Sequence, residues 1–385
     1  MIEMRILQTI AGLSTHSGGT STCTYDLLKA LHEIGCDVDL MTLASDDMLG
    51  NGEKWIKALY DDAITPYGYS RNINRFLQQS DYDIYHTNGM WMHCNHATCS
   101  VARRKRRPYV LTPHGMLYPD ALRRSYWKKW PLVKLFFEND VRRACCLHVT
   151  CKAEMDNVRA FGYRGLVAVI PNPANLPDYL EEIASGKPRL IGGGLPRTFG
   201  FLGRLHPIKK VENLLYGIAL LPRDAEFELV IMGKGDNGYE HFLRGEVERL
   251  GLERRVRFRG FVYGRDKYEQ LVRLSCLFVP SDFENFGMIV TESLAVGTPV
   301  MASLGTPWEE LNEAGCGWWT ERTPENIARV MKQVLEMPAS ELLDMGIAGR
   351  TLVAEKYAAS KVAQMMRQLY EWILTGGTKP DFVYE

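Results

Sequence analysis

The chain has 385 residues, and its 46 Lys and Arg balance its 46 Asp and Glu, so the formal net charge is zero. Hydrophobic residues make up 46% and charged residues 24%, enough apolar material for large cores in two or three domains at about 150 residues each. This excludes a disordered chain, a collagen-like repeat and a wholly basic nucleic-acid binder.

In chain order, Arg5 to Ile10 reads as a strand, followed by a loop from Gly12 to Thr20. A helix with Leu27, Leu28, Leu31 and Ile34 on one face stops at Gly35, and Val38 to Leu43 is the next strand. Further short apolar runs follow at Ile84 to His86, Tyr109 to Thr112, Leu147 to Thr150 and Val167 to Ile170. Strands alternating with helices predict parallel pairing in an α/β doubly wound sheet. Between 171 and 196 the texture changes to prolines and glycines (Pro171, Pro173, Pro177, Gly186, Pro188, Gly192 to Gly194, Pro196), which reads as an interdomain linker. The alternation then restarts with strands at Phe199 to Leu202, Phe227 to Met232, Val256 to Phe258, Leu277 to Val279 and Pro299 to Ala302. Helices are expected at Val211 to Leu221, near Gly238 to Leu250 and after Gly287. The expected domains are 1–180 and 181–356, with a last helix at about 357–374 packing back on the first.

Two segments carry chemistry. Gly203-Arg204 with Lys209 follows a strand, so both cations can turn into a crevice at its carboxyl end. A planar guanidinium fork and a point-like ammonium together suit a diphosphate. The second segment, Pro280 to Glu292, lies between a strand and a helix and holds Glu284 and Glu292 eight positions apart, with Phe286-Gly287 between them. Glycine lets backbone approach a ligand, and a helix start offers unpaired N–H groups to an anion. Glu284 is then placed to bond sugar hydroxyls and Glu292 to grip a ribose diol.

With these motifs the sequence resembles the retaining glycosyltransferases of the GT-B fold, family 4, over essentially its whole length. Ala295-Val296-Gly297-Thr298-Pro299-Val300, Ser17-Gly18-Gly19-Thr20 and Thr112-Pro113-His114-Gly115-Met116-Leu117 add to the likeness. Lys210 departs from it, standing where the family usually has glycine. The resemblance implies two Rossmann-like domains facing across a cleft, the first for the acceptor and the second for a UDP- or GDP-sugar donor. It implies that Arg204 and Lys209 bind the donor diphosphate and stabilise the departing charge. Main-chain amides at Phe286, Gly287, Met288 and Ile289 would bind phosphates or sugar, Glu284 sugar hydroxyls, and Glu292 the ribose. Gly18 and Gly19 would close over the phosphates, and His114 would sit beside the donor sugar. No metal or other cofactor is implied, and front-face substitution is favoured over a carboxylate nucleophile. The activity expected is transfer of a hexose to a glycan or lipid-linked glycan. The alternatives are a sugar-phosphate phosphorylase or nucleotide-sugar epimerase of the same fold, or a non-catalytic scaffold binding nucleotide or membrane.

Other signals carry less. Asp37-Val38-Asp39 and Asp81-Tyr82-Asp83 match a metal-binding triplet, but both lie at strand entries, and Trp318-Trp319 reads as an apolar strand pair. Nine cysteines form no Cys-x-x-Cys pair, so free thiols without metal or disulfide are expected. No signal peptide precedes the first strand, and no run approaches the roughly 20 apolar residues of a membrane span, so a soluble cytoplasmic protein is expected. Residues 101–145 hold twelve basic and three acidic residues, a net +9, interleaved with Tyr118, Tyr126, Trp127, Trp130, Phe136 and Phe137. That mixture suits an anionic membrane face or a lipid-diphosphate acceptor, and no nucleic-acid motif accompanies it.

Overall fold

The computed structural model describes residues 4–14, 18–123, 131–174, 176–192, 197–235 and 237–385. The chain divides into two compact units, residues 1–173 with 359–385, and residues 174–358.

In the first unit, strands β1 (Arg5–Gly12), β2 (Asp37–Leu43), β3 (Ile56–Leu59), β4 (Ile84–Asn88), β5 (Tyr109–Thr112), β6 (Cys146–Val149) and β7 (Val167–Val169) form one sheet. They pair in parallel in the order β7-β6-β5-β4-β1-β2-β3, and the short final strand β14 (Val383–Tyr384) joins antiparallel to β7. Parallel strands covered on both faces need apolar side chains on both, and β1 supplies them. Ile6 packs with Leu28, Val38 and Met366 on one face, while Leu7 packs with Met41, Tyr85 and Phe137 on the other. The closing helix Ala359–Thr375 returns to this unit and lies against the helix Gly19–Glu33.

The second unit has six parallel strands, β8 (Arg197–Leu202), β9 (Phe227–Met232), β10 (Val256–Gly260), β11 (Cys276–Val279), β12 (Val300–Ser303) and β13 (Gly317–Thr320). Their order is β10-β9-β8-β11-β12-β13. Trp318 and Trp319 lie in the edge strand β13, as a strand pair. Its two cores also split by strand alternation: Phe199 and Ile231 face one, Val230 and Val279 the other.

The stretch expected as a linker is not one over most of its length. Short helices at Leu180–Ser185 and Lys187–Gly192 belong to the second unit, because Leu180, Ile183 and Ile191 are buried in its cores. Pro188 sits in the first turn, where a missing N–H breaks no helical bond. Lys187 is buried, and its ammonium donates to Val272 O at 3.0 Å, to Thr298 Oγ1 at 2.6 Å and to Leu274 O. Three donors meet three acceptors, which offsets part of the cost of burying an ammonium, and burial still pushes its pKa down to about 7. Gly193, Gly194 and Pro196 lie outside the described residues.

Candidate active site

In an open α/β sheet, ligands bind beyond the carboxyl ends of the strands, where the strand order reverses. In the second unit that reversal falls between β8 and β11. The loops leaving these two strands are Gly203 to Lys210 and Pro280 to Gly287, which are the two segments that sequence singles out.

The first loop is shaped by its neighbours. Gly203 N donates to Met232 O and Leu205 N to Lys234 O, both at 3.0 Å, so the loop lies along the residues that follow β9. A Cβ on Gly233 would stand 1.9 Å from Gly203 O, and one on Gly235 the same distance from Leu205 O. Only glycine admits this approach. Residues Pro207–Lys209 then make a single 3-10 turn, which His206 caps by accepting from Ile208 N at 3.2 Å. Lys210 ends the turn with φ 51° and ψ 39°, a left-handed conformation that glycine adopts freely. The departure from the family pattern therefore changes the residue and keeps the turn.

Three bonds tie this loop to the one after β11. Asp282 N donates to Ile208 O at 2.7 Å, Lys209 Nζ pairs with Glu284 Oε1, and Lys210 Nζ lies 3.5 Å from Asp282 Oδ2. Ser281 Oγ donates to the same Glu284 oxygen at 2.9 Å. Arg204 is exposed and makes no hydrogen bond or ion pair with the described residues.

Gly287, with φ 83° and ψ 67°, turns the chain into the helix Met288–Ala295. The opening amides of a helix have no partner within it and are the natural anion-binding groups here. The preceding residue is fixed from behind. Trp308 is buried, its indole N–H donates to Phe286 O, and the two rings lie 5.3 Å apart. The Phe286 side chain is thus core. Glu292, on the second turn of the helix, pairs with Lys267 of the helix Gly264–Arg273 at 2.7 Å. Arg204 and Glu292 do not join the Lys209–Glu284 contact.

In the first unit, Gly18 (φ 82°) and Gly19 are exposed at the start of the helix Gly19–Glu33, and a Cβ on either would meet nothing within 4 Å. Ser17 lies outside the described residues. His114 follows β5 with φ 50°, rare for a residue with a side chain. Its turn is held by the buried Glu154, which accepts from Gly115 N at 2.5 Å and from Thr150 N at 2.8 Å. His114 Nε2 contacts Asn88 Oδ1 at 3.2 Å. Burial beside His148 pushes its pKa down to about 3, so the ring is neutral at physiological pH.

The carboxylates of the two Asp-x-Asp triplets have local partners. Asp39 accepts from Tyr82 Oη at 2.6 Å and pairs with Lys57, and Arg107 reaches Asp81 and Asp83. Within 101–145, Arg103 pairs with the buried Asp140 at 2.7 Å, Lys105 bonds Ser80 O, and Tyr118 and Phe137 are buried. Arg104, Arg106, Arg142 and Arg143 are exposed. Arg124, Tyr126, Trp127, Lys128, Lys129 and Trp130 lie outside the described residues. The nine cysteines are free. Among the described residues no helix is long and apolar enough to cross a membrane.

Residues 194–351 match the family described as glycosyl transferases group 1, and residues 17–177 the one described as glycosyltransferase family 4. A phosphatidyl-myo-inositol mannosyltransferase of Mycobacterium leprae is 28% identical, over 94% of this chain and 95% of its own. An uncharacterized glycosyltransferase of Methanocaldococcus jannaschii is 29% identical over 44% of each chain, so the match spans less than half of that relative. The crystal structure of Anabaena Alr3699/HepE in complex with UDP superposes with a TM-score of 0.77 at 20% identity, covering 96% of this chain and 100% of that one. At that identity the likeness is one of fold.

Proposed function

The chain belongs to the group 1, family 4 glycosyl transferases and has their GT-B fold, and from that premise we propose that it transfers a hexose from a UDP- or GDP-sugar to a glycan or lipid-linked glycan with retention. The observation that carries this reading is the junction of the two switch-point loops, where Lys209 meets Glu284 and the first loop also carries Arg204, exposed and without a partner among the described residues. Two cations and a helix start are what a diphosphate requires, and a carboxylate alongside them is what sugar hydroxyls require.

Arg204 and Lys209 hold the diphosphate and take up the charge that grows on it as the bond to the anomeric carbon breaks. Amides at the start of Met288–Ala295 add to that field, and Glu292 accepts from the ribose hydroxyls. Glu284 keeps lone pairs beyond those used by Lys209 and Ser281, and these accept from the hexose. In the front-face route the acceptor oxygen bonds to the anomeric carbon on the side that the phosphate leaves. The acceptor proton passes to the departing phosphate oxygen. His114 serves the sugar as a neutral hydrogen-bonding group. No metal or other cofactor is invoked, since fixed cations supply the electrostatics. The proposal extends to docking on an anionic membrane face through the exposed Arg104, Arg106, Arg142 and Arg143.

Product analysis with a panel of UDP- and GDP-hexoses tests the reading. Nucleotide release is expected with one of them, reduced a hundredfold or more by Arg204→Ala, a loss of about 3–4 kcal/mol in transition-state stabilisation. Tight nucleotide binding with no transfer and no donor hydrolysis would favour the scaffold instead.

A further inference from the structure

An unbroken line of hydrogen bonds, buried up to its last link, crosses the first unit and ends at His114. It starts at the Ile170 carbonyl, 2.9 Å from His148 Nε2. His148 Nδ1 lies 2.8 Å from Thr112 Oγ1, which lies 2.6 Å from His86 Nε2. His86 Nδ1 is 2.6 Å from Tyr370 Oη, on the closing helix Ala359–Thr375. Gln8 Nε2 reaches the same phenol at 2.9 Å, and Gln8 Oε1 is 2.8 Å from Asn88 Nδ2. Asn88 Oδ1 then meets His114 Nε2 at 3.2 Å. Gln8, His86, Asn88, Thr112, His148 and Tyr370 are all buried.

One end of the line fixes every proton in it. A carbonyl only accepts, so His148 Nε2 carries the hydrogen. His148 is buried and neutral, held down to about 4, so its Nδ1 is bare and the Thr112 hydroxyl donates to it. That spends the only hydrogen on Thr112, which must accept from His86 Nε2–H. His86 is held neutral by burial, so its Nδ1 accepts from the Tyr370 phenol. The phenol in turn accepts from the Gln8 amide, Gln8 Oε1 accepts from Asn88, and Asn88 Oδ1 accepts from His114 Nε2–H. A neutral imidazole has one hydrogen, so His114 Nδ1 is left as a lone pair.

We propose that this relay, with Tyr370 as its positioning residue, locks His114 in the Nε2–H form so that Nδ1 accepts a hydrogen bond from a hydroxyl of the transferred sugar. The sugar half of this rests on the reading of His114 under the proposed function; the lock itself does not. A tautomer fixed in advance removes the choice that an isolated imidazole would make, and it favours a hydroxyl over any group that can only accept. The contribution of the closing helix is then a hydrogen-bond direction as well as apolar packing.

Nitrogen NMR of protein carrying ¹⁵N-labelled histidine reads the tautomer without any substrate. His114, assigned by its loss in His114→Asn, is expected to show a bare, pyridine-type Nδ1 and a protonated, pyrrole-type Nε2. A protonated Nδ1 in the unsubstituted protein overturns the lock. Tyr370→Phe lets the Gln8 and Asn88 amides reverse, so His114 is expected to populate the other tautomer. Thr112→Val breaks the line at a second point and is expected to do the same if the first variant does not fold. An unchanged His114 spectrum in a folded variant of either kind also overturns the lock. Adding the nucleotide sugar is expected to move the Nδ1 signal alone. If no donor moves it while the ligand-free spectrum is as expected, the lock stands and the sugar-facing role of His114 falls.

Discussion

Lys209 and Glu284 are ion-paired across two loops that stand 75 residues apart in the chain, and their side chains are only 18% and 17% exposed. A pair so sheltered is screened less than a surface salt bridge. Each charge is therefore balanced by the other across the pair. On the proposed reading, a diphosphate competes with Glu284 for the Lys209 ammonium while the sugar recruits the carboxylate.

Glu284→Gln separates those two effects. It is expected to raise affinity for a nucleoside diphosphate without sugar by about threefold to tenfold, since a partner worth about 1 kcal/mol no longer competes. Turnover of the nucleotide sugar is expected to fall in the same variant, because an amide is a weaker acceptor than a carboxylate. Titration calorimetry and initial rates measure the two. A parallel fall in both would mean that Lys209 is not the contested group.

Glu292 pairs with Lys267 and lies one turn into its helix, where the proposal has it accept from the ribose. Glu292→Ala is expected to bind a ribonucleotide and its 2′,3′-dideoxy analogue alike. The unsubstituted protein is expected to prefer the ribonucleotide by roughly tenfold, the worth of a hydrogen bond to a charged acceptor. Retained preference in the variant removes Glu292 from the ribose.

Acid is expected to destabilise the first unit. Burial holds His148 down to about 4 and His86 well below its usual value, while in the unfolded chain each takes a proton below about 6.5. Between pH 6.5 and 4 the unfolded state binds more protons than the folded one, so stability falls with pH. The slope is up to about 1.4 kcal/mol per pH unit for each histidine. Urea midpoints followed from pH 7 to 4 test this, and a flat profile would contradict the buried neutral pair.

Much of the fold was legible because parallel strands announce themselves as short apolar runs. Tyr109 to Thr112 and Phe227 to Met232 coincide with β5 and β9. Strands β3 and β14 give no such signal, since Ile56–Leu59 carries Lys57 at its centre and Val383–Tyr384 is two residues long. Prolines and glycines misled the reading at 171–196, where burial of Leu180, Ile183 and the Lys187 ammonium overrides local composition. The carriers of charge at the switch point were legible, since Arg204, Lys209 and Glu284 stand just after strands. Their supports were not. Nothing in sequence marks Gly233 and Gly235 as the close approach to the first loop, and nothing links Trp308 to Phe286. The relay from Ile170 to His114 joins residues up to 362 positions apart, a distance over which pattern reading has no reach.

The central claim is that the loops after β8 and β11 form one diphosphate site, and calorimetric titration of UDP and GDP into the unsubstituted protein and Arg204→Ala tests it most directly. Arg204 has no partner among the described residues, so its loss is expected to leave the melting temperature almost unchanged. Affinity for the preferred nucleoside diphosphate is expected to fall at least tenfold, and affinity for the matching nucleoside to stay the same. Equal diphosphate affinity in the two proteins would contradict the assignment.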